Sequence, residues 1–198
     1  LKKIKKKKQI FYFHFKKTGL DKKIKNINPD FILFYGWSWT IKKKFFQKYN
    51  CLMLHPSQLP KFRGGSPIQN QIIRNIKNSA VTIFKINEIL DGGDILYQSK
   101  LSLNGSLNEI FERIIKIGFK GTQKILNFKK IKKKKQKHSN AKYYKRRKPH
   151  ESEITLKELK ESSPLYIYNK LRMLADPYPN PFIKIKKKKL IIKSFKID

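Results

Sequence analysis

The sequence predicts an α/β domain built on a mainly parallel β-sheet. Three observations predict it: short apolar stretches alternate with helix-forming stretches, polar loops follow the apolar stretches, and one long stretch repeats apolar residues at helical spacing. With 198 residues, 39% of them hydrophobic, the chain is long enough to bury a substantial core. The single cysteine excludes a disulfide framework and a zinc site built from cysteines.

The predicted strands are short and mostly apolar. Residues 9–15 form the first, and residues 30–35, which lie between Pro29 and Gly36, have the composition of a strand buried on both faces. The remaining strands are predicted over residues 51–54, 80–86, 95–103 and 190–197, with a hairpin turn over residues 186–189.

The predicted helices follow from apolar spacing and end signals. The longest has one apolar face, formed by Leu107, Ile110, Phe111, Ile114, Gly118, Thr122 and Ile125. Another begins after Pro67, with Ser66 as its N-terminal cap. The helical stretches are residues 41–49, 68–76, 107–125, 156–159 and 166–174, and residues 16–28 form a polar connector with one helical turn.

The chain is strongly basic, with 48 Lys and Arg against 13 Asp and Glu and a net charge of +35. Such a charge favours anionic partners, including nucleic acids. Only six of the basic residues are Arg, the side chain that specific nucleic-acid-binding proteins use for bidentate contacts. Because Lys, Ile, Asn, Phe and Tyr all have A/T-rich codons, we attribute the charge chiefly to base composition.

Composition also predicts the domain organisation. Residues 129–148 contain twelve basic residues and no acidic one, which indicates an exposed basic connector. We expect a catalytic domain over residues 1–128, a connector over residues 129–150 and an appendage of helix and strand over residues 151–198. Without a long apolar run or a signal peptide, we expect a cytoplasmic protein with no membrane partner.

Two segments combine polar side chains with tight turns, and each follows an apolar strand. His55 begins the first, HPSQLPKFRGGSPIQ, and Asp91 lies in the second, LDGGDI. Because ligands bind at the carboxyl edge of parallel sheets, we expect the two side chains to meet there, with the carboxylate orienting the imidazole. The neighbouring glycines would let a substrate approach the backbone. Taken singly, each segment fits an ordinary loop equally well.

The two segments resemble those of the 10-formyltetrahydrofolate-dependent formyltransferase family, whose members formylate methionyl-tRNA, nucleotide-linked amino sugars or glycinamide ribonucleotide. HPSQLPKFRGGSPIQ resembles the family's His-x-Ser-x-Leu-Pro-x-x-Arg-Gly-x-x-Pro segment, and AVTIFKINEILDGGDILYQ resembles its Leu-Asp-x-Gly-Asp segment. The likeness extends from about residue 29 to residue 126 and, more weakly, to the end of the chain. It implies a Rossmann-like fold whose first βαβ elements are partly missing, and thus a chain truncated at its N-terminus.

The resemblance implies formyl transfer from 10-formyltetrahydrofolate, a co-substrate, to an acceptor amine, without a metal. It implies that His55 stabilises the developing oxyanion or acts as an acid, and that Asp91 tunes His55 and helps remove the amine proton. The implied folate-binding residues are Trp37, Ser38, Trp39, Asn87, Leu90 and Asp91. The implied acceptor-binding residues are Ser57, Arg63, Gly64, Gly65, Arg146 and Arg147.

The resemblance also bears on the acceptor. Residues 144–152 resemble the Arg-Arg-x-Pro-x-x-Ser segment of the sugar-formylating members, and residues 172–179 resemble their Arg-Ala-x-x-Asp-Pro-x-Pro segment. We therefore expect a nucleotide-linked amino sugar, with initiator methionyl-tRNA as the alternative, and the oligomeric state stays open.

One position departs from the family pattern. The family has an Asn two residues before the His, where this chain has Met53. Met cannot donate a hydrogen bond to an oxyanion, and the loss of one such donor slows catalysis by about 10²–10³. Asn50 and Asn70 are alternative donors by residue type alone.

A second class of function stays open on the sequence. The chain could be a basic nucleic-acid-binding protein, or a slow or inactive protein that keeps the folate-binding fold. The enzyme hypothesis requires His55 and Asp91 to lie together in a cleft, whereas nucleic-acid binding requires the lysines to gather on one face.

Overall fold

A computed structural model of the chain describes residues 20–127 and 132–196, with side chains from residue 24 onwards. The chain divides into two compact units, residues 1–30 and residues 31–198. Helix α1, Leu20–Ile27, is the described element of the first unit and is longer than the single turn predicted. The strand predicted over residues 9–15 lies outside the described residues.

Strands and helices alternate through the first half of the second unit. Its strands are β1 (Ile32–Phe34), β2 (Cys51–His55), β3 (Arg63–Gly64), β4 (Asn78–Lys85), β5 (Ile95–Ser102), β6 (Tyr143–Tyr144), β7 (Phe182–Ile185) and β8 (Lys188–Ile191). Its helices are α2 (Lys43–Lys48), α3 (Pro67–Ile72), α4 (Leu107–Asn127), α5 (Leu156–Glu161) and α6 (Pro164–Arg172), with 3₁₀ turns at His138–Asn140 and Pro149–Ser152.

A four-stranded sheet in the order β1-β2-β4-β5 forms the centre of this unit. β1 and β2 are parallel, whereas β4 is antiparallel to both β2 and β5. The α/β class is thus as predicted, but the described part of the sheet holds one parallel and two antiparallel pairs. For β4 and β5 the reason is the short loop of residues 86–94, which cannot contain the crossover that parallel neighbours require.

Helix α4 covers one face of the sheet, so the site residues on β2 lie on the opposite face. Its buried residues follow the predicted spacing: Leu107, Ile110, Ile114, Gly118, Gly121 and Ile125. A Cβ atom on Gly118 would lie 2.5 Å from Leu54 Cδ1, so α4 lies directly on β2. Because successive side chains of a strand alternate, Met53 and His55 face away from α4.

The start of α3 differs from the prediction. Ser66 has a left-handed backbone, with a φ of 49°, and its side chain makes no cap hydrogen bond to the helix. Its Oγ instead accepts a hydrogen bond from the Arg147 N–H at 3.0 Å. The left-handed backbone thus turns the hydroxyl from the helix toward the later segment.

The C-terminal strand also differs from the prediction. Instead of one strand over residues 190–197, β7 and β8 form a hairpin in which Ile185 pairs with Lys188. The turn comprises Lys186 and Lys187, so it is shorter than predicted and the second strand begins earlier. Within residues 20–127 and 132–196, no helix has the length and apolar character needed to cross a membrane.

A buried lysine anchors α6 to α5. Lys170 is 4% exposed, and its Nζ donates to the Glu153 carbonyl and to Glu158 Oε1, both at 2.6 Å. Burial raises the pKa of Glu158, but hydrogen bonds from Lys170 and Thr155 outweigh it, so this pKa lies below its ordinary value. The ionised carboxylate therefore stabilises the folded protein.

Glu158→Gln should lower the free energy of unfolding by about 2 kcal/mol at pH 7, because it leaves the buried Lys170 ammonium without its carboxylate. Glu161→Gln is the matched control, since it removes only an exposed ion pair with Lys157 and should cost under about 0.5 kcal/mol. Thermal and denaturant unfolding of both variants measures the difference.

The stabilisation contributed by the Glu158 carboxylate should decrease as the pH falls. A carboxyl whose pKa is lowered by folding stabilises the protein above its unfolded-state pKa of about 4.3, and this stabilisation is lost as the pH falls through the folded-state pKa. The difference between the wild type and Glu158→Gln should therefore be constant from pH 7 to about 5.5 and shrink below about pH 4.3. A difference that stays constant on acidification would contradict this account.

Candidate active site

His55 is the last residue of β2 and is 5% exposed. Its Nε2–H donates to the Phe62 carbonyl at 2.7 Å, because a carbonyl oxygen can only accept. Its Nδ1 lies 3.7 Å from Asp91 Oδ2. The ring is therefore held by the following loop on one side and faces a carboxylate on the other.

Asp91 lies in the loop of residues 86–94, and its backbone is left-handed, with a φ of 48°. Asp tolerates this conformation better than most residues do. Its Oδ2 accepts a hydrogen bond from the Gly64 N–H at 2.7 Å. One carboxylate oxygen thus lies beside both motif segments, and a backbone donor orients it toward His55.

The two side chains meet as predicted, but for a different reason. β2 and β4 are antiparallel, and Lys85, at the carboxyl end of β4, pairs with Leu52 rather than with His55. The carboxyl ends of the two strands therefore lie at opposite ends of the pair. The loop of residues 86–94 must fold back along the sheet to bring Asp91 to His55.

This arrangement suits proton transfer. An imidazole can carry a proton on either ring nitrogen, and a neighbouring carboxylate fixes the orientation of the ring. Since His55 and Asp91 are both almost fully buried, bulk water has little access to them. The pair can therefore exchange protons with a bound molecule rather than with solvent.

Met53 faces the same side of β2 as His55, two residues earlier. It packs against a buried apolar cluster formed by Leu59, Phe84 and Ile95. The side chain that replaces the family's Asn thus completes an apolar cluster and supplies no hydrogen-bond donor.

The two alternative donors lie elsewhere. Asn70 Nδ2 donates to the carbonyls of Gly65 and Lys145, at 2.9 and 3.2 Å. Asn50 directly precedes β2, at the opposite end of the strand from His55. Neither amide takes the place of the family's Asn.

Arg63, one of the predicted acceptor-binding residues, is 0% exposed, and its hydrogen bonds are made within the protein. Its Nη1 donates to the Tyr143 hydroxyl at 2.8 Å, and its Nη2 donates to Gln136 Oε1 at 2.7 Å. His138 Nδ1 lies 3.2 Å from the same Nη2. In the part of the chain that the structure describes, no carboxylate forms an ion pair with this guanidinium.

Gly64 and Gly65, predicted to admit a substrate, allow a close approach by residues 144–146 of the chain itself. β3 pairs with β6, and Gly65 N–H donates to the Tyr144 carbonyl at 2.9 Å. A Cβ on Gly64 would lie 2.4 Å from that carbonyl oxygen, and a Cβ on Gly65 would lie 2.4 Å from Arg146 Cα. Gly64 also has a φ of 93°, which favours glycine.

The predicted basic connector is partly built into the site. Its lysines from residue 132 onwards are exposed as expected. Gln136, however, is 6% exposed, and its Nε2 donates to the carbonyls of Asp91 and Gly93 at 2.9 and 2.7 Å. The basic composition of the segment did not predict a buried role for Gln136, although it is the one residue other than Lys in residues 132–137. The domain boundaries at residues 128 and 150 stay predictions.

The remaining predicted acceptor-binding residues differ in accessibility. Ser57 is 0% exposed and its hydroxyl donates to the Lys61 carbonyl at 2.8 Å, so it holds the loop and presents no hydroxyl to a substrate. Arg147 Nη2 donates to the Glu151 carbonyl at 2.9 Å. Arg146 is exposed to solvent.

The predicted folate-binding residues lie on two segments joined by an ion pair. Lys43 Nζ lies 2.7 Å from Glu88 Oε1, which links α2 to the loop of residues 86–94. Trp37 Nε1 donates to the Trp39 carbonyl at 2.6 Å, and the two rings lie edge to face. Four of the predicted residues are exposed, namely Ser38, Trp39, Asn87 and Leu90.

The α/β fold and the buried His55–Asp91 pair together define an α/β protein with an enzyme-like site. A model of the formyl transferase family matches residues 13–126, which is more than half of the chain. The chain therefore belongs to the formyl transferase family, as its motifs predicted, and the predicted Rossmann-like fold is confirmed by its structural neighbours.

Two similar proteins are methionyl-tRNA formyltransferases. The one from Campylobacter jejuni is 32% identical over 170 residues, which cover 85% of this chain and 54% of that protein. The solved structure of the one from Clostridium thermocellum has a TM-score of 0.81 and 38% identity, and covers 91% of this chain and 80% of that chain. The chain spans about half the length of the curated relative.

A solved sugar N-formyltransferase from Shewanella is also similar. It has a TM-score of 0.69 and 18% identity, and the match covers 88% of this chain and 74% of that chain. At this identity the likeness shows the fold alone.

Gly65→Ala should separate β3 from β6 and cost about 2–3 kcal/mol of unfolding free energy, because the new Cβ would overlap backbone atoms of Arg146. Hydrogen exchange of the amide at position 65, which donates to the Tyr144 carbonyl, should accelerate. Gly36→Ala is the control for this local readout: its φ of 66° disfavours Ala, but no heavy atom lies within 4 Å of the added Cβ, so the β3–β6 amides should stay unchanged. Unaltered exchange in Gly65→Ala would contradict the close approach.

Proposed function

We propose that this protein transfers a formyl group from 10-formyltetrahydrofolate to an acceptor amine. The juxtaposition of His55 and Asp91, with 3.7 Å between Nδ1 and Oδ2, carries the proposal. Both residues lie within the stretch that matches the family model. Burial of the pair and the backbone support of the carboxylate fit a role at the reacting atoms.

The reaction moves one formyl group and one proton. The acceptor nitrogen attacks the formyl carbon, whose oxygen becomes an oxyanion, and the bond from that carbon to folate N10 then breaks. The proton lost by the acceptor nitrogen is balanced by the one gained by N10. In this proposal Asp91 helps to remove the amine proton, while His55 stabilises the oxyanion or acts as the acid.

The residues present fit a folate. A pterin is a flat ring system that stacks on aromatic and apolar surfaces. Trp39 and Leu90 are 57% and 60% exposed and offer such surfaces on the two linked segments. We therefore assign the folate to these segments beside Asp91. A cytoplasmic location stays a prediction.

As the acceptor we propose the amino group of methionyl-tRNA, in place of the amino sugar expected from the sequence. The relatives that are at least 30% identical over most of this chain carry that name, whereas the sugar enzyme matches in fold alone. The residues that favoured a sugar also have local partners. Arg147 donates to Glu151, and Asp176 accepts from Asn180 at 2.7 Å.

A nucleotide-linked amino sugar is the second candidate. Arg146 favours it, because its side chain is exposed at the edge of the loop held by Gly65. A guanidinium in such a position can bind a diphosphate through two parallel hydrogen bonds.

The test is a formyl-transfer assay with 10-formyltetrahydrofolate and, in separate reactions, charged initiator tRNA and a panel of amino-sugar nucleotides. The wild type should formylate the tRNA. Asp91→Asn keeps an oxygen for the Gly64 N–H but removes the charge, and both it and His55→Asn should lower kcat by about 10²–10⁴. Unfolding temperatures close to that of the wild type establish that the variants are folded.

Three outcomes would overturn parts of the proposal. Formylation of an amino sugar alone would replace the acceptor. Full activity of a folded Asp91→Asn would remove the pair from the mechanism. Failure with every acceptor, together with tight and salt-sensitive RNA binding, would favour the nucleic-acid-binding alternative.

Met53→Asn should raise kcat, by at most about 10²–10³, because an amide at this position can donate to the oxyanion. Met53→Leu is the control, since it keeps the apolar packing without adding a donor and should leave kcat within about twofold. Single-turnover formyl transfer separates the chemical step from product release. A large loss of turnover in a folded Met53→Asn would show that the site differs from the family pattern.

A further inference from the structure

We infer that Gln136 is a positioning residue. It holds the turn of residues 91–93 (the Asp91 turn) so that the Asp91 carboxylate reaches His55. The inference rests on the proposed function for its kinetic consequence but not for its geometry. Gln136 does not touch the reacting groups and acts through the backbone on either side of Gly92.

The side-chain amide of Gln136 contacts both sides of the turn and the buried arginine beside it. Its Nε2 donates to the carbonyl of Asp91 at 2.9 Å and to that of Gly93 at 2.7 Å. Its Oε1 accepts from Arg63 Nη2 at 2.7 Å. One amide thus makes three hydrogen bonds while 6% exposed.

The orientation of this amide is fixed by its partners. Both backbone carbonyls can only accept, and a guanidinium can only donate, so Nε2 must face the turn and Oε1 must face Arg63. A residue with only acceptors or only donors cannot satisfy both sides. Glu keeps the contact to Arg63 and loses the two donations, and Met loses all three.

The turn needs this support because its backbone is unfavourable and tightly packed. Asp91 has a left-handed φ of 48°, and a Cβ on Gly93 would lie 1.6 Å from the Lys85 carbonyl oxygen. The carboxylate of Asp91 faces Gly64 and His55, while the backbone carbonyl of Asp91 accepts a hydrogen bond from Gln136 Nε2. Releasing that carbonyl frees the peptide unit to rotate and carries the carboxylate away from Gly64.

The hydrogen bond from Arg63 Nη2 to Gln136 Oε1 also contributes to the stability of the buried guanidinium. The guanidinium is fully buried, and its hydrogen bonds go to the neutral groups of Gln136, Tyr143 and His138. A buried cation of this kind depends on its remaining acceptors, because an unsatisfied charged group is costly. Gln136 therefore couples the environment of Arg63 to the geometry of the Asp91 turn.

The Gly64 amide reports the position of the Asp91 carboxylate without any assay of activity. In Gln136→Met, this amide should exchange about tenfold faster relative to the amides of β4, the loss expected for one hydrogen bond to a charged group. Its proton resonance should also move upfield. Gln98→Met is the matched control, since Gln98 donates to Leu59 and Thr82 and not to the turn, and it should leave the Gly64 amide unchanged.

Gln136→Glu separates positioning from simple support of Arg63. If Gln136 positions the turn, this variant should resemble Gln136→Met at the Gly64 amide, although Arg63 keeps its acceptor. If the Gly64 amide in Gln136→Glu instead matches the wild type, the residue serves Arg63 alone and the inference is overturned. An unchanged amide in Gln136→Met would overturn it as well.

Kinetics provide the second measurement. With the acceptor that the wild type formylates, Gln136→Met should lower kcat about tenfold and change KM by less than about twofold, because a misplaced carboxylate weakens the transition state more than substrate binding. If the wild type formylates none of the acceptors, the proposed function fails, while the Gly64 amide still decides whether Gln136 positions the turn. If Gln136→Met instead raised KM about tenfold and left kcat unchanged, the positioning role would be overturned.

Discussion

The hydrogen bond from the Gly64 N–H to Asp91 Oδ2 is the contact on which the site depends. It joins the loop after β2 to the loop between β4 and β5, so that it fixes the two motif segments relative to each other. The donor is a backbone group with little freedom once folded, so the carboxylate is oriented without ordering another long side chain. The donor residue has a φ of 93° and lies directly against the backbone of β6, so a side chain at this position would disturb both contacts.

Local pattern predicted most of the elements but did not specify the direction of β4. The apolar spacing of α4 placed its buried face correctly, because that face depends on residues within one helix. The direction of β4 depends on how a strand returns to β2, which no local pattern records. His55 and Asp91 could still be paired, because the resemblance of both segments to the family implies that the two residues act together.

The supporting residues of the site could not be predicted, because their roles depend on distant contacts. Arg63, beside two glycines, has the sequence character of an exposed anion site, yet a segment 73 residues later buries it. Gln136 lies in a run of lysines whose composition indicates solvent exposure. Ser57 is equally ambiguous, since its hydroxyl bonds within its own loop only once that loop has folded.

The buried guanidinium of Arg63 has a consequence for how this chain can be divided. A fragment ending at residue 127 would contain both motif segments and the whole stretch that matches the family model. It would nevertheless lack Gln136 and Tyr143, which accept hydrogen bonds from the Arg63 guanidinium, and it would leave β3 without β6. A piece that keeps all of these contacts therefore extends past residue 144 and is longer than the stretch that matches the family model.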